Sequence, residues 1–151
     1  MKIYLAGPCD TENRTMMVQI AKFLRDKEQE VYCPWEFKVE NAWDISQEEW
    51  AKKVFKADLA AIDDSDMVIV ISLGRVSTAG TNWEQGYAYA KGIHTHVIQI
   101  NNNSTSLMTY WGCDNFINLD KTYTSMASEL QWIIDHGTTV QYHDKCKTVL
   151  T

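Results

Sequence analysis

The sequence predicts an α/β fold built on a doubly wound parallel sheet. Unbroken apolar runs, of which residues 67–71 are the clearest, have the composition of strands that are buried on both faces. Segments with helical spacing of apolar residues lie between these runs, so strands and helices alternate along the chain. We therefore expect about five parallel strands joined by right-handed crossovers.

Length and composition predict one domain spanning residues 1–151. A chain of 151 residues can bury a core without disulfides or metals, and 45% hydrophobic with 23% charged residues is typical of globular proteins. No apolar run approaches the roughly 20 residues that span a bilayer, and the N-terminus lacks a signal-peptide pattern. We expect a cytoplasmic protein without a membrane partner.

Charge and motif content exclude several classes of function. A formal net charge of −6 without a Lys/Arg-rich run argues against a nucleic-acid polymer as partner. His94 and His96 alternate onto one strand face, but no cysteine or carboxylate follows at ligand spacing. The acidic turn at 63–66 lacks the spacing of a calcium loop, and no G-x-G-x-x-G motif occurs. We expect neither a metal nor a cofactor.

The first third of the chain reads as a strand, a helix and a second strand. Residues 2–6 form a short apolar strand that a Gly-Pro breaker pair ends. Helical spacing predicts a helix over about 15–28, and residues 30–33 are a candidate strand. Residues 35–43, beginning at Trp35, show neither period. We expect there a loop at a sheet edge that either lies over a ligand or packs on the surface.

A second helix leads to the central strand. Ser46 and Glu49 form a capping-box pattern, which predicts a helix from Ser46 to about residue 62. Asp58 lies near the C-terminal end of this helix, where the helix dipole disfavours an anion. A carboxylate at such a position needs a separate reason.

The stretch from Ser77 to Ala90 joins the central strand to the next helix. Junctions of this kind are where open α/β sheets bind ligands. Glu84 is a lone carboxylate that we expect in the first turn of this helix, either as a partner of the helix dipole or as a catalytic group. Lys91 and Gly92 have the pattern of a helix end.

The remaining pattern completes the alternation. The predicted elements are strands at 95–100 and 116–119 and helices at 107–111 and 126–134. The tail to residue 151 is polar and carries no predicted element.

Candidate catalytic groups gather at one edge of the predicted sheet. In a flavodoxin-like sheet the loops after the first and central strands meet, so Gly7 and Gly80 should share a crevice with Glu84. We expect Tyr4 and Asp58 to point into the same crevice. Two carboxylates and a tyrosine suit glycosyl chemistry, because one acid attacks or stabilises the sugar carbon while the other protonates the leaving group.

The residues just described resemble the nucleoside 2-deoxyribosyltransferase family. The similar segments are residues 2–8 with Tyr4, residues 57–59 with Asp58, residues 80–88 with Glu84, and residues 107–115 with Asn115. The pattern Gly-x-x-x-Glu-x-Gly-Tyr-Ala in the third segment is the most specific. The resemblance implies that Glu84 takes the 2′-deoxyribosyl group at C1′, that Asp58 protonates the departing base, and that Tyr4 hydrogen-bonds Glu84.

The same resemblance implies the partners. Nucleosides and free nucleobases would be the substrates, and Asn115 would come from an adjacent chain of a homo-oligomer to bind the 5′ end of the sugar. We expect further substrate contacts from Gly7, Thr78, Gly80 and Trp35.

One departure from the family pattern leaves three functions open. The transferases generally place an Asp that binds the sugar hydroxyls at the position of Thr78, whereas related nucleoside 5′-monophosphate N-glycosidases carry a hydroxyl residue nearby. Base exchange, hydrolysis of a nucleotide and non-catalytic nucleotide sensing are therefore alternatives. Asp10 and Glu12 in the first loop would repel a phosphate, which favours a nucleoside substrate.

Overall fold

Parallel strands form the central sheet of the computed structural model, which describes residues 1–144 and 150–151. The strands are β1 (Lys2–Ala6), β2 (Glu30–Tyr32), β3 (Met67–Ser72), β4 (His94–Gln99), β5 (Asn115–Asn118) and β6 (Tyr142–His143). Their order is β2-β1-β3-β4-β5-β6, which extends the flavodoxin-like order by one strand. The predicted doubly wound parallel α/β sheet is confirmed, with six strands in the described residues instead of about five.

Five α-helices occur in the described residues, and their ends follow local capping. They are α1 (Thr11–Asp26), α2 (Gln47–Asp63), α3 (Ala79–Ala90), α4 (Leu107–Trp111) and α5 (Met126–His136). Helix α1 begins earlier than the predicted residue 15, because the Asp10 carboxylate accepts the Asn13 backbone N–H at 3.0 Å. None of these helices is long and apolar enough to cross a bilayer.

The start of α3 corrects one prediction. Thr78 is the N-cap, and its hydroxyl accepts the Thr81 backbone N–H at 3.4 Å. The helix therefore begins at Ala79, which puts Glu84 in the second turn and leaves no acid in the first. Because the dipole effect fades within one turn, the interpretation of Glu84 as a dipole partner loses its basis.

Strand side chains alternate between two faces of the sheet. Ile3, Leu5 and their neighbours pack against α1 and α5, on what we call the α1/α5 face. Tyr4 and Val68 lie on the α2/α3 face, with Ile62 of α2 among their partners. The segment predicted as an edge loop contains short 3-10 turns at Pro34–Glu36 and Ala42–Asp44.

Candidate active site

The first strand delivers a buried tyrosine to the α2/α3 face. Tyr4 is 0% exposed, and its hydroxyl donates to Oε1 of Glu84 at 3.0 Å. Strand alternation sets the direction of the tyrosine, and Glu84 faces it from the second turn of α3. The structure therefore brings together two of the predicted site residues.

A second tyrosine holds the other predicted acid. The Tyr32 hydroxyl donates to Oδ1 of Asp58 at 2.9 Å. Tyr32 lies opposite Tyr4 in the β1–β2 register, and the two rings stack with centroids 5.5 Å apart and planes 18° apart. Two tyrosine–carboxylate pairs thus lie side by side. Tyr32 was not among the predicted site residues. The only sequence signal that could have indicated it is the alternation within a three-residue strand, which is weak.

Partial burial raises the pKa of both carboxylates. It raises the pKa of Glu84 to about 7, with the nearby Asp58 charge adding to the rise and the Tyr4 hydrogen bond opposing it. Burial also raises the pKa of Asp58, against the effect of the Tyr32 hydrogen bond. Burial, followed by the Glu84 charge, raises the pKa of Tyr4 far above its ordinary value, so this tyrosine stays a neutral donor. The pair can therefore hold a proton near neutral pH.

A cavity of about 300 Å³ between α2 and α3 opens beside both acids. Its lining residues are Phe55, Asp58, Leu59, Ile62, Gly80, Trp83 and Glu84. The rings of Phe55 and Trp83 are 5.6 Å apart and about half exposed. A Cβ on Gly80 would meet no atom within 4 Å, so the cavity is open on that side. An apolar aromatic wall beside two acids suits a planar ligand with one bond to be protonated.

The loop after β1 lies close to this cavity. Partial burial, then the charges of Glu84 and Asp58, raise the pKa of the Cys9 thiol, which places that residue near both acids. Gly7 packs closely against α1, because a Cβ there would lie 2.5 Å from Cε of Met17. Its contact with substrate, which only the backbone could make, stays a prediction.

Two predicted site residues lie elsewhere. Asn115 is 1% exposed and pairs in register with His96, which puts it on the α1/α5 face, opposite to Tyr4. This placement contradicts the expectation that Asn115 reaches a neighbouring chain, because strand alternation turns the side chain into the core. Trp35 packs partly buried against the α1/α5 cluster and is not a lining residue of the cavity.

A larger cavity, of about 550 Å³, lies between α3 and α4. The lining of this larger cavity contains no carboxylate, so we assign the chemistry to the smaller cavity between α2 and α3. The lining residues of the larger cavity include Tyr89, Ser106, Leu107, Met108 and Trp111. Met108 and Trp111 are 74% and 61% exposed. We call this surface the α3/α4 groove.

Residues suited to hold a metal are sparse in the described part of the chain. Within residues 1–144 and 150–151, no group of three or more His, Cys, Asp or Glu side chains is arranged around a possible ion.

Comparisons with known proteins identify the family of the chain. The family described as nucleoside 2-deoxyribosyltransferase matches residues 3–145. A 2-deoxyribosyltransferase structure from Bacillus psychrosaccharolyticus is 30% identical, with 78% of this chain and 85% of that chain covered and a TM-score of 0.67. No curated protein matches the sequence significantly.

Two further structures share the fold at lower identity. A conserved protein from Enterococcus faecalis V583 is 21% identical over 95% of this chain and 81% of its own, with a TM-score of 0.56. The CMP N-glycosidase BcmB from Clostridium botulinum is 19% identical over 89% of this chain and 98% of its own, with a TM-score of 0.59. Since the family match covers nearly the whole chain, the protein belongs to the nucleoside 2-deoxyribosyltransferase family.

Proposed function

We propose that the protein exchanges the base of 2′-deoxynucleosides through a covalent bond between the sugar and Glu84. The observation that carries the proposal is the pair of partly buried acids at one cavity, each held by a tyrosine hydroxyl. Such a pair can supply a nucleophile and a proton donor at once. Membership in the transferase family supports the same reaction.

The reaction uses the acids in different protonation states. The ionised Glu84 attacks C1′, the bond from C1′ to the base nitrogen breaks, and its electron pair leaves with the base while the proton of Asp58 passes to that base. A second base then attacks C1′, Glu84 departs as a carboxylate, and Asp58 takes the proton that the incoming base loses. Tyr4 fixes Glu84 through Oε1, so Oε2 is the attacking oxygen.

The cavity walls suggest how the substrate lies. The aromatic pair Phe55 and Trp83 offers the base an apolar surface beside Asp58. Gly80 in the first turn of α3 lines the cavity together with Glu84, and Thr78 caps that helix, so we assign the sugar to this end. A neutral Thr78 contacts the sugar with a hydroxyl, where the family generally supplies an Asp.

An exchange assay tests the proposal. The protein is incubated with a deoxynucleoside and a different free base, and the products are separated by chromatography. Formation of the exchanged nucleoside is expected in the wild type, with a loss of about 10³-fold or more in Glu84→Gln, since the nucleophile is gone. The exposed Glu40→Gln is the matched control and should keep activity. Equal activity in both variants would exclude Glu84 as nucleophile.

Hydrolysis is the second candidate, and Thr78 is the observation that favours it. An uncharged residue beside the sugar holds the intermediate with fewer charged contacts than an Asp, so water can compete with the second base. Release of free base from a deoxynucleoside or a 5′-monophosphate without any acceptor would support hydrolysis. Binding of these compounds without turnover would instead leave nucleotide sensing as the function.

We also propose that the protein forms a homo-oligomer through the α3/α4 groove. Leu107, Met108, Trp111 and Tyr89 expose a contiguous apolar surface there, and such a surface is typical of protein interfaces. Met108→Lys should convert the oligomer to monomer in analytical ultracentrifugation. Trp43→Lys changes a fully exposed aromatic elsewhere and should not. A wild-type monomer at all concentrations would contradict this proposal.

A further inference from the structure

Tyr32 has no role in the reaction as described, although it makes the same contact as Tyr4. The two hydroxyls lie on stacked rings of neighbouring strands, and each donates to a carboxylate on a different helix. Asp58 comes from α2 and Glu84 from α3. The pair of acids is therefore matched by a pair of tyrosines.

We propose that Tyr32 is a positioning residue that acts with Tyr4 to decide which of the two acids carries their shared proton. The proposal rests on the proposed function for its kinetic consequence, because base exchange needs the proton on Asp58 and the charge on Glu84. Its physical basis is independent of that function.

The surroundings leave this decision to the tyrosines. In the described residues each acid has one side-chain hydrogen-bond partner, and neither acid forms an ion pair. The titratable groups around the acids are Tyr4 on β1, Cys9 in the loop after β1, and Tyr32 on β2. Burial raises the pKa of all three, so they are neutral when the acids titrate. Within residues 1–144 and 150–151, no cationic side chain forms an ion pair with either acid in competition with the two hydrogen bonds.

The two hydrogen bonds act in opposite directions on the proton. A hydroxyl that donates to a carboxylate stabilises the ionised form of that carboxylate. Two partly buried acids that line one cavity disfavour a double negative charge, so at pH values between their two titrations the pair holds one proton. The Tyr4 bond moves this proton away from Glu84, which favours the reaction. The Tyr32 bond moves it away from Asp58 while fixing the direction of that acid.

Carboxyl titration by NMR tests the proposal directly. The protein is labelled with ¹³C in its Asp and Glu side chains, and wild type, Tyr4→Phe and Tyr32→Phe are titrated. Both variants keep the stacked ring, so the fold should persist. Tyr32→Phe should raise the proton affinity of Asp58 about tenfold and lower the proton occupancy of Glu84, whereas Tyr4→Phe should raise that of Glu84.

A matched control exists on the same helices. The Tyr87 hydroxyl donates to Asp63 at 2.8 Å on the exposed surface, so Tyr87→Phe removes the same kind of hydrogen bond and should leave the titration of Asp58 and Glu84 unchanged. An unchanged Asp58 titration in Tyr32→Phe would overturn the proposal. A rise in the proton affinity of Glu84 in Tyr32→Phe as large as the rise in Tyr4→Phe would also overturn it.

The pH dependence of exchange gives the kinetic readout. The basic limb of the kcat/KM profile should move to higher pH in Tyr32→Phe, because the last proton is held more tightly. A role in packing alone would lower kcat/KM equally at every pH, and that result would count against the proposal. Since the NMR titration needs no turnover, an inactive wild type would contradict the proposed function without affecting this test.

Discussion

The two faces of the sheet both bury a carboxylate beside a strand side chain, but they provide different partners. On the α1/α5 face, Glu129 of α5 lies 2.9 Å from Nε2 of His96, and both residues are buried. On the α2/α3 face, Glu84 accepts a hydrogen bond from Tyr4 and reaches a cavity. The first pair includes a possible cation; the second does not.

This difference separates structural acids from reactive ones. An acid that is enclosed with a basic partner is stabilised in place and has no route to a ligand. An acid with a neutral partner keeps the raised pKa that burial gives it, and the cavity offers it a substrate. The two faces therefore differ in the partner of the acid as well as in its burial, since Glu129 is buried and Glu84 is only partly buried.

Among the variants compared between the two faces, Asp58→Asn should have a large effect on the reaction at the α2/α3 face. Loss of the proton donor is expected to lower kcat for exchange by about 10³-fold. The loss should be smaller for substrates whose bases leave easily without protonation, because these need the acid least. Rates measured with a series of such nucleosides check this. A uniform loss across the series would mean that Asp58 binds substrate without protonating it.

Glu129→Ala tests the structural side. The variant leaves His96 buried without its partner, which should lower the free energy of unfolding by about 3 kcal/mol. Urea denaturation gives this value, and Asp135→Ala, on an exposed part of the same helix, should change it by less than about 0.5 kcal/mol. The exchange rate per folded molecule should be unaffected by Glu129→Ala. A loss of exchange in Glu129→Ala would show that this acid also takes part in the reaction.

Glu84→Gln should change the free energy of unfolding by less than Glu129→Ala does, and in the opposite direction. Because folding raises the pKa of Glu84 from 4.5 to about 7, the folded state binds this proton more tightly than the unfolded state. Its contribution to the free energy of unfolding is therefore retained at low pH and lost as pH rises through that window. Above it, Glu84→Gln should be more stable than wild type by about 2 kcal/mol.

Denaturation at two pH values measures this effect. The two proteins should differ little near the lower end of the window and clearly above its upper end. A variant that is less stable than wild type at high pH would show that the ionised Glu84 is stabilised in the fold, and the contrast between the faces would fail.

The sequence predicted the sheet because its signals are local. The apolar run at 67–71 and the cap at Ser46 depend on neighbouring residues alone, and the structure has both. Strand β6 was not predicted, because two residues carry no period and the strand exists only by pairing with β5. Register and face are properties of distant neighbours, which a single sequence does not contain.

The candidate site also contains residues that local patterns predicted and contacts that depend on strand register. Tyr4, Asp58 and Glu84 stand in segments with recognisable patterns, and the structure brings them together. The contact of Tyr32 with Asp58 depends on the register of β2 against β1. The expectation for Asn115 failed because a motif indicates which residues are present but not the face of the sheet to which they point.

Thr78 combines an exposed side chain with the cap of the helix that carries Glu84. Thr and Asp both serve well as N-caps, so either residue starts the helix at the same point. A charged residue can therefore replace the hydroxyl at this position without a change in the scaffold. Under the proposed placement of the sugar, position 78 is the first position to vary in engineering a different sugar preference.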